Sequence, residues 1–121
     1  MVAHRKIGEC IMGRFVIVAY KPKSGQARTL DTLVAKHLGV LAQEGLVTDH
    51  PPSVMRARDG TVVEVFEWVS VDAIARAHGN AAVGALWAEF EAACDYVPLA
   101  SLAEAGQLFA EFDSTFVDVP D

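Results

Sequence analysis

The chain has 121 residues, 52% of them hydrophobic, with 10 Lys and Arg against 16 Asp and Glu and a formal net charge of −6. Its length fits one domain with a single core, and its acidic balance argues against binding a nucleic-acid backbone. A mean hydropathy of +0.27 leaves more apolar surface to hide than a small soluble domain usually carries, which points to a partner surface or an apolar pocket.

Residues 1–13 match no element and are expected to form a flexible N-terminal arm, leaving residues 14–121 as the single domain. The longest apolar run near that end, "FVIVAY" at 15–20, is far short of the ~18 residues of a membrane span. Glu9 and Arg14 interrupt any signal-peptide core. Cys10 and Cys94 are far apart and lack CxxC or Cys/His ligand spacing, so neither a disulfide framework nor a zinc site is indicated. The expectation is a cytoplasmic protein with reduced thiols, no membrane or nucleic-acid partner, no metal and no cofactor.

Phe15 to Tyr20 reads as a strand buried on both faces, ended by Pro22, Ser24 and Gly25. From Gln26 the period becomes helical: Ala27, Leu30, Leu33, Val34, His37, Leu38 and Leu41 share a stripe, with Gly45 as the stop. "HPP" at 50–52 is a rigid loop. "SVMRAR" and "TVVEVFEWV" then read as a β-hairpin around Asp59-Gly60. Ser70 caps a helix whose Val71, Ile74, Ala75 and His78 share a face up to Gly79, and Asn80 caps its continuation through Val83, Leu86, Trp87, Phe90 and Cys94. "DYVPLAS" is a strand that Pro98 confines to an edge or bulge. Ser101 with Glu104 fits a capping box for a third helix, facing Leu102, Ala105, Leu108, Phe109 and Phe112 inward, and "STFVDVPD" is a tail that packs through Phe116, Val117 and Val119.

This order predicts an α+β, ferredoxin-like βαββαβ fold: a four-stranded antiparallel sheet with an extra C-terminal helix. Two helices cover one face of such a sheet, yet the first and third strands are apolar on both. The second face therefore needs another layer. A homodimer joined through sheet faces supplies it; the alternative is the third helix and tail folded across the same monomer.

"EVFEWVSVDAIARAH" (64–78) followed by "NAAVGALWAEF" (80–90) resembles the antibiotic biosynthesis monooxygenase-like proteins of the dimeric α+β barrel superfamily. Glu67, Trp68, Ser70, Ala73 and His78 carry the resemblance. It implies a homodimer whose sheets form a barrel, with a pocket between sheet and helices in each subunit. Some members oxidise phenolic or quinol substrates with dioxygen and no metal or flavin; others bind haem or isomerise lactones. The haem-degrading branch uses an Asn on its first strand, which "FVIVAY" lacks.

Cofactor-free oxygenation, as the resemblance implies it, needs a base for a phenolic proton and an apolar pocket that excludes water. His78 is the catalytic candidate by residue type, since its ordinary pKa of about 6.5 suits work near neutrality, with Glu67 or Asp95 to orient it. Trp68, Trp87 and Phe90 are candidates to stack a flat ring, and Tyr20 to bond a developing oxyanion. Each also has a structural reading: Trp87 and Phe90 as core at helical spacing, Trp68 as a barrel plug, and His78 as a partner for a carbonyl freed at the Gly79-Asn80 break. His37 lies on an apolar stripe. It either shares a cavity with His78, as an acid/base or metal pair, or both are hydrogen-bonded core histidines. Glu64 and Glu67 fall on opposite faces of their strand, so at least one is expected to reach solvent or an Arg across the subunit boundary, with Arg56 and Arg58 as candidates. The enzymatic reading is a monooxygenase-like oxidoreductase; the alternative is a non-catalytic dimeric module that binds a small apolar or aromatic metabolite or serves assembly only.

Overall fold

The computed structural model describes residues 12–115. The "FVIVAY" run lies in β1 (Arg14–Pro22). Next, α1 (Ala27–Gln43) buries Leu30, Leu33, Val34, His37 and Leu41, the stripe its spacing predicts except that Ala27 is exposed and Leu38 half-buried. It stops at Gly45, which has φ 70. The Leu46 N–H donates to the Leu41 carbonyl and the Gly45 N–H to the Ala42 carbonyl, both at 3.0 Å. This pair of bonds ends a helix only when the residue at the bend adopts the left-handed conformation, which glycine does without a Cβ penalty.

The hairpin forms as β2 (Ser53–Arg56) and β3 (Val62–Trp68). Its turn is held by the Ala57 N–H on the Thr61 carbonyl at 2.8 Å and by Asp59 Oδ1, which accepts the Thr61 N–H at 2.8 Å. The bond from the Thr61 N–H holds the Asp59 carboxyl below its ordinary pKa. Two capped helices follow. Ser70 Oγ accepts the Ala73 N–H at the start of α2 (Val71–His78), and Asn80 Oδ1 accepts the Val83 N–H at the start of α3 (Ala81–Ala93). Both caps satisfy donors that a helix N-terminus leaves open. The buried side of α2 is not the expected one: Ala73 and Ala77 are fully buried while Val71 is exposed. The two alanines, one turn apart, allow close approach to Phe66 and Trp68 of the sheet, with which they form one cluster.

The edge strand β4 (Cys94–Val97) and a short β5 (Asp113–Ser114) complete an antiparallel sheet of order β4-β1-β3-β2-β5. Across β1 and β3, Val16 faces Phe66, Val18 faces Glu64 and Tyr20 faces Val62. Alternation puts all of these, with Trp68, on the helix side.

Three expectations are corrected. The sheet has five strands rather than the four of a ferredoxin-like βαββαβ unit, because β5 adds to β2, and it is open, not closed into a barrel. The resemblance to the antibiotic biosynthesis monooxygenase-like, dimeric α+β barrel proteins is overturned by that architecture, and the descriptions "monooxygenase-like" and "oxidoreductase" lose their support with it. The third helix does not form either. Leu99–Ser101 and Ala103–Gly106 are 3₁₀ turns, and Leu108 and Phe109 are 94% and 79% exposed. Glu104 does not cap Ser101; its Oε2 accepts the Arg58 N–H at 2.8 Å beside the hairpin turn. These turns seat Leu102 against Ala19, Ala57 and Val63, covering part of the sheet's outer face. On β1, Phe15 and Ile17 remain 52% and 49% exposed on that face. The expected arm falls mostly, and the Phe116–Val119 part of the tail wholly, outside the described residues. No helix among the described residues is long and apolar enough to cross a membrane.

Gly45→Ala keeps the helix stripe but forces a Cβ into the left-handed region, at a cost of about 1 kcal/mol. Urea denaturation should show that loss with an unchanged m-value.

Candidate functional site

Glu64 sits in the middle of β3, on the helix side of the sheet and 0% exposed. Its Oε1 accepts two hydrogen bonds, from the Tyr20 hydroxyl of β1 at 2.7 Å and from His37 Nδ1 of α1 at 2.8 Å. On the other side of the imidazole, the Trp87 Nε1–H of α3 donates to His37 Nε2 at 3.0 Å. An indole N–H can only donate. Nε2 therefore carries the lone pair, Nδ1 carries the proton, and His37 is the neutral imidazole donating to Glu64. Oε2 of Glu64 is buried with no hydrogen-bond partner among the described residues, so the carboxylate keeps unused accepting capacity. Burial, reinforced by the charge of Glu64 and the bond to it, pushes the Tyr20 phenol well above its ordinary value. Tyr20 thus stays a donor.

Beside this network lies a cavity of about 530 Å³ between the sheet and all three helices. Val16, Val18, Tyr20, Phe66 and Trp68 line it from the sheet, with Tyr96 at the β4 edge. His37, Ile74, His78, Trp87, Phe90 and Glu91 line it from the helices. Trp87 is the hinge of the aromatic wall: its ring meets His78 at 5.2 Å and Trp68 at 6.5 Å between centroids, both edge to face. Burial, with Cys94 and Glu91 nearby, pushes the Tyr96 phenol up to about 12. The polar atoms of His37 and Tyr20 are bonded within the network, so the wall they present is chiefly ring surface.

Of the residues singled out from sequence, His37, His78, Tyr20, Trp68, Trp87 and Phe90 meet at this one cavity. His78 is exposed at its edge on the last turn of α2. Glu67 is not brought there: it lies on the opposite face of β3, buried, where Thr48 Oγ1 donates to its Oε1 at 2.9 Å. The expectation that Glu64 or Glu67 reaches solvent or an Arg is corrected for Glu64, whose partners are Tyr20 and His37. The Arg56 side chain instead bonds Asp31 at 3.0 and 3.2 Å. Sequence reasoning missed the central role of Glu64. Its signal was a lone carboxylate in the helix-facing register of "VVEVF", opposite a histidine on a buried helical stripe. Among the described residues no group of three or more His, Cys, Asp or Glu is placed to hold a metal ion. Compared with protein-family models, curated proteins and solved structures, the chain matches none.

Tyr20→Phe removes one of the two donors to a buried carboxylate and should cost about 1–3 kcal/mol. The raised Tyr20 pKa also makes the fold's stability full below the phenol's ordinary value near 10 and progressively lost above it. Alkaline unfolding of the wild type should therefore be steeper with pH than that of Tyr20→Phe, measured by circular dichroism across that range.

Proposed function

We propose that this chain binds a small, flat, largely apolar molecule, best an aromatic ring, in the cavity between its sheet and helices. The observation that carries the reading is an aromatic wall along a half-open cavity of about 530 Å³, within the roughly 300–1,000 Å³ of small-molecule sites. The polar atoms of Tyr20, His37 and Trp87 are already bonded within the network, so entry of a ring strips water from few of them. Phe66, Trp68, Trp87 and Phe90 offer edges and faces for ring contacts. One- and two-ring aromatic compounds should quench the Trp68 and Trp87 fluorescence saturably. Ile74→Trp, which fills the space, should abolish that binding while its circular dichroism stays native. A panel of such compounds giving no saturable change would sink the reading.

We further propose that two copies associate through the uncovered half of the outer sheet face. Phe15 and Ile17 stand half exposed there, next to the half-buried Val65 that pairs with Ile17 across the strands. The 3₁₀ turns occupy the neighbouring part of the face, so a second copy is the layer that excludes water from the rest, and a two-fold axis lets the same patch cover itself. Sedimentation equilibrium over a concentration series should fit a dimer that Ile17→Lys converts to a monomer; a wild-type monomer throughout would refute the association.

A further inference from the structure

The Trp87–His37 bond is the one polar feature of the network made between two residues that both line the cavity. It joins a group that can only donate, the indole N–H, to one that here can only accept, the lone pair of Nε2. A ligand atom that parts the two must accept from Trp87 and donate to His37, or it leaves one of them unsatisfied in an apolar setting. A carbonyl or ether oxygen cannot donate, and an ammonium cannot accept. A hydroxyl does both. Behind the imidazole, Glu64 Oε1 already takes the Nδ1–H at 2.8 Å, and its Oε2 has no partner among the described residues. A carboxylate held there stabilises positive charge on the ring.

From this geometry we infer that the cavity selects a ring bearing a hydroxyl, and that His37 and Glu64 form an acid/base dyad that takes the hydroxyl proton. The inference rests on the binding function proposed above and deepens it. In the step, the aryl O–H bond breaks, its electron pair stays on oxygen as an aryloxide, and the proton forms a new bond to His37 Nε2. The Nδ1–H remains bonded to Glu64, so the dyad becomes an imidazolium–carboxylate pair. The Trp87 N–H, which already donates to the ligand hydroxyl once that group parts it from His37, keeps its bond to the oxygen as the aryloxide forms. No oxidant or further reactant is needed. His37, buried against the carboxylate, is thereby the proton acceptor, and His78 at the cavity edge is not.

The groups that face His37 and govern the pH dependence are Glu64 on β3, Tyr20 on β1 and Trp87 on α3; His78, Glu91 and Tyr96 complete the titratable lining of the cavity. The test uses para-nitrophenol, whose anion is yellow, against nitrobenzene and para-nitroanisole, which have the ring without a donating hydroxyl. The full chain should bind the phenol at least about tenfold more tightly than either analogue, the worth of one charge-assisted hydrogen bond. The pH midpoint of the bound phenol should fall below that of the free one. His37→Gln should erase both the preference and the shift. Should that variant unfold, Trp87→Phe serves in its place: the preference over the ether should stay, because Nε2 still accepts, while the midpoint should move back toward that of the free phenol, because the aryloxide loses its indole donor; a midpoint unmoved by the change overturns the arrangement. Equal binding of phenol and analogues, or an unshifted midpoint, overturns the dyad while leaving the aromatic cavity standing. Failure of all three compounds to bind overturns both.

Discussion

A carboxylate buried on a central strand is the constraint around which this molecule is arranged. Glu64 occupies a central strand, and burying an ionisable group there is costly unless donors reach it. The two that reach Oε1 come from different elements, Tyr20 from β1 and His37 from α1. Trp87 then ties α3 to the same imidazole. One side chain thus couples two strands and two helices, and each bond narrows the positions the next element can take. Networks of this kind are worth more than their pairs while complete and are costly when broken. Glu64 therefore specifies where α1 sits over the sheet more sharply than the non-directional contacts of Leu30, Leu33 and Leu41 can.

The cavity follows from how the helices meet that constraint. Ala73 and Ala77 hold α2 close to Phe66 and Trp68, and the chain breaks at Gly79 before Asn80 opens α3. The break leaves His78 at the edge of the space that Trp87 and Phe90 wall from the other side. Because the network consumes the hydrogen-bonding capacity of Tyr20 and His37, polar residues present mostly apolar ring to the interior. The bond between Trp87 and His37 is the exception, since both of its members face the cavity and neither is fixed to it by the backbone.

On the outer face, beside the buried Glu67, a further buried carboxylate sets the path of the chain. Glu104 turns inward to accept the Arg58 N–H, and a chain making that contact while seating Leu102 on Val63 closes in 3₁₀ turns. The helical stripe through Leu108 and Phe109 then has nothing to pack against, and both side chains stay exposed.

The sequence by itself determined the local elements. The six-residue apolar run of β1, the three-and-four stripe of α1 with Gly45 at its end, the Asp59-Gly60 hairpin, and the Ser70 and Asn80 caps all depend on neighbours a few residues away, and their physics is written in the spacing. It also marked most of the cavity lining, because a histidine or tryptophan on an apolar stripe has to face the interior. Tertiary structure alone decided the rest. Whether Glu104 caps Ser101 or the hairpin turn depends on a backbone N–H 46 residues away. Whether α2 buries Val71 or Ala73 depends on the size of the rings beneath it, and whether a fifth strand forms depends on Asp113 and Ser114 meeting β2. The joining of Glu64, Tyr20, His37 and Trp87 spans contacts 27 to 50 residues apart. No periodicity encodes such distances, so the site existed in the sequence as separate residues and became an arrangement only when the sheet register placed them together.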